Sequence, residues 1–207
     1  RIVNKGKYSN GIFAGELNQI NNSIHSVILG GSENSIEGEA EPRTSSSYNS
    51  KNAIIGGYKN KIISANGTNK QSYGSVIFGG ENNIAQGNYN MIAGYGNHAV
   101  TLGETLVGIY GTIQNTSLSG FDFIDNSRMF NVGVGLSQNN GTIIRRDGLS
   151  VYRNGLVTTP SLTPELTDTS NRAVVTKEYL DIRIPKPPTT GNFVLKSTNG
   201  VVSWVAE

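Results

Sequence analysis

Ser75-Val76-Ile77-Phe78-Gly79-Gly80 holds an apolar triplet closed by two glycines, and the chain repeats it. Val27-Ile28-Leu29-Gly30-Gly31 and Ala53-Ile54-Ile55-Gly56-Gly57 are near copies. Each is followed by an asparagine and then an aliphatic residue: Asn34 and Ile36, Asn60 and Ile62, Asn82 and Ile84. Looser versions occur at Ile12-Phe13-Ala14-Gly15 with Asn18 and Ile20, at Met91-Ile92-Ala93-Gly94 with Asn97 and Ala99, and at Thr105-Leu106-Val107-Gly108 with Gly111 and Ile113. With Gly15, Gly31, Gly57, Gly79, Gly94 and Gly108 as markers, the steps are 16, 26, 22, 15 and 14 residues. This is a unit near 15 with polar insertions at Glu37 to Tyr48 and Ser64 to Ser72. Such repetition governs every other reading, because each unit buries its apolar side chains only against its neighbours.

The unit is too short for a helix pair, and its β-branched residues and glycines predict strand, turn, strand, turn. In the first strand the middle residues Phe13, Ile28, Ile54, Ile77, Ile92 and Leu106 have mostly apolar neighbours. Side chains alternate between faces, so that strand needs cover on both sides. In the second strand Ile20, Ile36, Ile62, Ile84 and Ile113 sit mostly between polar residues such as Gln19, Ser35 and Lys61, the pattern of a wall with one wet face. A flattened two-walled coil covers only one face of its inner strand. The aliphatic row left over predicts self-association around an axis parallel to the stack, with three thin coils as the simplest closed arrangement. Phe13, Ile28, Ile54, Ile77, Ile92 and Leu106 are the expected trimer core.

Composition agrees with a thin-cored protein. The 207 residues are 36% hydrophobic and include 26 glycines, with asparagine about as frequent. The absence of cysteine excludes a disulfide scaffold, a thiolate metal site and a cysteine nucleophile. No apolar run is long enough for a membrane helix. Charged residues are 15% with a formal net charge of +2, which predicts no nucleic-acid partner. The stretch from Arg1 to Asn10 has neither an initiator Met nor an apolar leader, which predicts a processed product or a fragment.

After Thr116 the pattern changes. Asn140-Gly141, Asp147-Gly148 and Asn154-Gly155 are turn signals seven residues apart and predict a small β-meander. A two-residue turn at Asp147-Gly148 would set Arg146 opposite Leu149 and Ile144 opposite Val151. Asn171 to Ile182 places Val175, Tyr179 and Ile182 at helical spacing, and Pro185, Pro187 and Pro188 follow as a stiff linker. Asn199-Gly200 between Phe193-Val194-Leu195 and Val201-Val202-Ser203-Trp204 predicts a hairpin with Leu195 opposite Trp204. The expected division is a lead-in at 1–8, a repeat domain at 9–116, a meander at 117–160, an extended and short-helix junction at 161–190 and a hairpin at 191–207.

Ser26-Val27-Ile28-Leu29-Gly30, Ser75-Val76-Ile77-Phe78-Gly79, Ile36-Glu37-Gly38 and Ala85-Gln86-Gly87 resemble the two halves of the head repeat of trimeric bacterial adhesins, N-S-V-A-I-G-x-x-S-x-A-x-G. The resemblance covers about residues 9 to 116 and implies a homotrimeric left-handed parallel β-roll solenoid. The chain departs from that family in its long insertions and in bulky Ile or Phe where Ala is common. Arg172-Ala173-Val174-Val175-Thr176-Lys177-Glu178-Tyr179-Leu180-Asp181, with Gly191 to Ser197 and Val201 to Trp204, resembles segments of bacteriophage tail-fibre and head-fibre proteins. That resemblance implies an extracellular virion component, a tail or capsid fibre whose partners are two sister chains, other virion proteins, and a bacterial surface polysaccharide or outer-membrane receptor. A bacterial cell-surface adhesin head and a polysaccharide-degrading tailspike are the alternatives.

Glycan cleavage needs two carboxylates a few ångströms apart, one held protonated. No Asp precedes Asp122, and the Glu residues before it fall on expected loops or outward strand positions, so no catalytic residues and no enzyme are expected. Glu37, Glu39 and Glu41 read as a solvated loop rather than a cation site. His25 and His98 lack nearby Cys, and no metal or other cofactor is expected. Gly94-Tyr95-Gly96 and Gly133-Val134-Gly135 read as turn and strand glycines rather than phosphate loops. Tyr48, Tyr58, Tyr73, Tyr89 and Tyr95 sit in or beside the turns, where rings either stack on sugars or cap the edges of the stack. Arg145, Arg146 and Arg153 read as the wet face of the meander.

Overall fold

The computed structural model describes residues 3–5, 9–38, 49–64, 72–114, 124–161, 193–198 and 201–206. The chain divides into two units, Arg1–Pro160 and Ser161–Glu207. All regular structure among the described residues is β, with no helix.

In the first unit the chain passes back and forth between two largely parallel sheets. Gly11–Ile12, Val27–Ile28, Ala53–Ile54, Val76–Glu81, Met91–Tyr95 and Thr105–Ile109 run side by side in a nine-stranded sheet. The segments that alternate with them in sequence, Val3–Lys5, Gln19–Asn21, Ser35–Glu37, Lys61–Ile63, Ile84–Ala85 and His98–Ala99, build a six-stranded parallel sheet. Eleven of these strands are seen to give one side chain each to the shared core: Ile28, Ile54, Ile77, Ile92 and Leu106 from one sheet, Ile20, Ile36, Ile62, Ala85 and Ala99 from the other, with Ile12 packed at the end. A core one residue deep per strand is what the low apolar content allows.

This phase corrects the expected trimer core. Ile28, Ile54, Ile77, Ile92 and Leu106 have no exposed surface within a single chain, so no sister chain reaches them. Phe13 is the opposite case: Ile12 is the register partner of Ile28, and Phe13 points outward with 74% of its surface exposed. The fourth unit is also shifted by one. Gly80, Asn83 and Ala85, at the same distances from Ile77 as Gly57, Asn60 and Ile62 are from Ile54, occupy the places expected for Gly79, Asn82 and Ile84; Phe78 is the extra residue in the register with Met91–Tyr95. Ile113 lies outside any strand.

The stack ends in antiparallel pairing. Arg128–Val134 continues the nine-stranded sheet in parallel beside Thr105–Ile109, then pairs antiparallel with Asp147–Tyr152, which pairs with Val157–Thr158. Asn140-Gly141 closes a hairpin between Leu136–Ser137 and Ile143–Ile144, and Asn154-Gly155 turns the chain before Val157. Asp147-Gly148 is no turn. It opens a strand in which Leu149 faces Val132 and Val151 faces Phe130, because the Asp147 carboxylate is held inside by buried partners. In the second unit Phe193–Thr198 and Val201–Ala206 form the expected hairpin, with Leu195 opposite Trp204. The predicted helix from Asn171 to Ile182 and the proline linker lie outside the described residues.

Candidate functional site

The turns between the two sheets are built on left-handed backbone and buried amides. Leu17, Glu33, Lys59, Asn82 and Gly96 all have φ between 53 and 65°, and each precedes a buried asparagine: Asn18, Asn34, Asn60, Asn83 or Asn97. The left-handed residue turns the chain so that the next side chain enters the interior. There each Oδ1 accepts the backbone N–H of its counterpart in the following coil at 3.0 to 3.1 Å. The column closes on the N–H of Gly111. Each Nδ2 donates to the carbonyl of Gly31, Gly57, Gly80, Gly94 or Gly108 at 2.7 to 2.9 Å. The other turn carries a second column, Asn10, Ser26, Asn52, Ser75 and Asn90, linked by backbone N–H groups to side-chain oxygens. These columns satisfy the main-chain groups that a turn would otherwise leave buried and unpaired.

Glu104 stands just before the strand that opens at Thr105, off the strands as expected of a Glu before Asp122, but it is fully buried rather than solvated. Its Oε1 accepts from Arg128 Nε and Nη2, both at 2.7 Å, and its Oε2 from the N–H of Val100 at 3.0 Å and of Thr101 at 3.3 Å. Arg128 Nη1 reaches Asp147 Oδ2 at 2.9 Å, and Asp147 Oδ1 accepts from Asn131 and from the N–H of Thr112. Burial pushes the Glu104 carboxyl up, while Arg128 and the two backbone donors act in the other direction. No spacing in the sequence announced this cluster, whose members come from three separate segments.

On the outside of the nine-stranded sheet, the residues flanking the core positions make an uncovered apolar row. Phe13, Leu29, Ile55 and Phe78 are exposed, Phe78 by 53%, with Met91 beside them and Val27 and Val76 half-buried. Backbone bonds from Phe13 N to Ile28 O, Leu29 N to Ile54 O and Ile55 N to Ile77 O carry the ladder through this row.

The tyrosines separate into two groups. Tyr58 and Tyr95 share one turn column with Glu81 between them. The Tyr58 hydroxyl donates to Glu33 Oε1 at 3.0 Å and Lys59 Nζ lies 4.7 Å from its ring, while Tyr95 packs edge-on against Tyr110 at 4.9 Å. Tyr73 and Tyr89 meet edge-on at 5.5 Å in the other turn, where Lys51 bonds the Tyr73 hydroxyl. Tyr48, Glu39 and Glu41 lie outside the described residues. His25 is an exposed turn residue at φ 51°, and His98 is a half-buried residue of the edge strand His98–Ala99, bonded to Gln86 at 2.8 Å. Among the described residues no three His, Asp or Glu side chains gather to hold a metal. The expected wet face of the meander is corrected in two places: Arg145 Nη1 donates to the carbonyls of Gly96 and Gly111, and Arg153 Nη2 to that of Leu102. They clamp the antiparallel strands onto the stack, and only Arg146 of the three is exposed.

Comparison with family models, with curated proteins and with solved structures gives no match.

Proposed function

We propose that the chain is a non-enzymatic fibre component of a phage virion, in which three copies of a left-handed parallel β-roll pack around one axis and carry loops and turns to a glycan on the bacterial surface. The observation that carries this reading is the apolar row Phe13, Leu29, Ile55 and Phe78. A stripe crossing four coils is a standing association hazard unless it is paired, and a repeated stripe pairs best with its own copies. The three-fold arrangement gives each weak glycan contact the advantage of simultaneous engagement. The two carboxylates brought together in the fold, Glu104 and Asp147, are buried and bound to Arg128, which favours attachment over cleavage.

Light scattering of the purified chain tests the assembly: the expected mass is three times 22.1 kDa. Ile55→Asp, which sets a charge in the middle of the row, is expected to yield smaller species. A well-ordered single subunit of the native sequence would overturn the reading. Binding to an array of bacterial capsular and lipopolysaccharide glycans, without release of sugar, tests attachment against cleavage.

A further inference from the structure

We infer that the outer face of the six-stranded sheet carries a binding groove for an acidic saccharide. The inference rests on the attachment reading above and gives it a site. A groove of about 570 Å³ opens there, lined in part by Leu17, Gln19, Glu33, Ser35, Lys59 and Lys61. That size falls within the range of pockets that hold small ligands. Gln19, Ser35 and Lys61 are register partners on successive strands, so an amide, a hydroxyl and an ammonium stand in a row at the strand spacing of roughly 4.8 Å. Leu17 adds apolar surface for the C–H face of a sugar ring.

One group in the groove has unspent capacity. Ser35 is not that group: its Oγ has no hydrogen-bond partner but is sealed from solvent and out of a ligand's reach. Glu33 is engaged by Lys59 at 3.6 Å and by the Tyr58 hydroxyl, whereas among the described residues no carboxylate pairs with Lys61. A ligand bearing a single carboxylate pairs with Lys61, with Gln19 open to its hydroxyls; a phosphate polymer is disfavoured, since Glu33 and Glu37 line the same groove and repel dense negative charge. The groove and the apolar row lie on the outward faces of two sheets that share one core, so trimer formation leaves the groove open.

The test is the array of capsular and lipopolysaccharide glycans, which holds uronate-bearing and neutral chains, probed with the native protein, Lys61→Gln, Ser35→Ala and, as a control on the C-terminal hairpin, Lys196→Gln. Selective binding of uronate-bearing chains is expected, weakened at least tenfold by Lys61→Gln and unchanged by Ser35→Ala and Lys196→Gln. Glycan binding that ignores Lys61→Gln, or that treats neutral and acidic chains alike, overturns the groove and leaves attachment standing. No binding to any glycan overturns both.

Discussion

A Cβ placed on Gly57 would come within 2.1 Å of the Gly80 carbonyl oxygen in the next coil, and the backbone there has φ +95°. Its neighbour Gly56 has neither constraint, with nothing within 4 Å of a Cβ. The two glycines look equivalent in sequence and are not equivalent in structure. Gly57→Ala is expected to cost more than about 3 kcal/mol, through steric overlap and left-handed strain together. Gly56→Ala is expected to leave stability within about 0.5 kcal/mol. Denaturant midpoints of the two variants make the comparison directly.

Asn60 sits in the middle of the first amide column, accepting from Asn83 N at 3.1 Å and donating to Gly80 O at 2.9 Å. Asn60→Ala leaves the Asn83 N–H buried without an acceptor, while Gly80 O keeps the bond from Tyr58 N at 2.9 Å. The expected result is a loss of about 1–3 kcal/mol in unfolding free energy. Hydrogen exchange at the Asn83 amide should rise more than at the Asn97 amide, one coil further on. Equal exchange at the two amides would contradict a local role.

The Glu104–Arg128–Asp147 cluster predicts a non-additive pair. Glu104→Leu leaves the Arg128 charge half-compensated in the interior, and a loss of about 3–5 kcal/mol is expected. Replacing Arg128 by Leu as well removes the stranded charge on that side. The double variant is expected to be less destabilised than the sum of the two single variants. Denaturation of the three variants in parallel provides the cycle.

His98 gives the fold an acid-sensitive term. Burial first, and Arg145 second, lower its pKa from 6.5 to about 4. In the unfolded chain the imidazole keeps its ordinary pKa, so below pH 6.5 the unfolded state takes up the proton first. Stability is therefore whole above pH 6.5 and declines as pH falls towards 4, by up to about 3 kcal/mol. His98→Gln, which keeps a polar side chain beside Gln86, is expected to flatten the unfolding midpoint across that window.

The architecture was legible in the sequence because its signal is periodic. Apolar triplets with glycine and asparagine at fixed offsets implied two short strands per unit, and the parallel sheets and the Phe193–Trp204 hairpin follow that reading. The phase was less legible. A run such as Val76-Ile77-Phe78 is apolar at all three positions, so composition alone does not say which side chain faces in. In the fourth unit the consecutive Asn82-Asn83 hid the position: Gly79-Gly80 sets the buried asparagine at 83, as Gly56-Gly57 sets it at 60. Periodicity also hides polar interiors. The asparagines were visible as part of the motif, but their columns of bonds follow only once the strands are in register. The groove was missed for a related reason, since Gln19, Ser35 and Lys61 are far apart in sequence and resemble any wet strand face. The Asp147-Gly148 turn failed because a local turn preference was overridden by a buried arginine.

The amide columns have a consequence for how such a molecule changes over time. Every turn of the first column receives from the one before it the same bond that it hands to the one after, so a repeat unit can be duplicated or lost without redesigning its neighbours. Length is then an adjustable quantity, like the number of courses in a brick wall. The charged cluster around Arg128 serves as the coping stone, and only there does the pattern have to end.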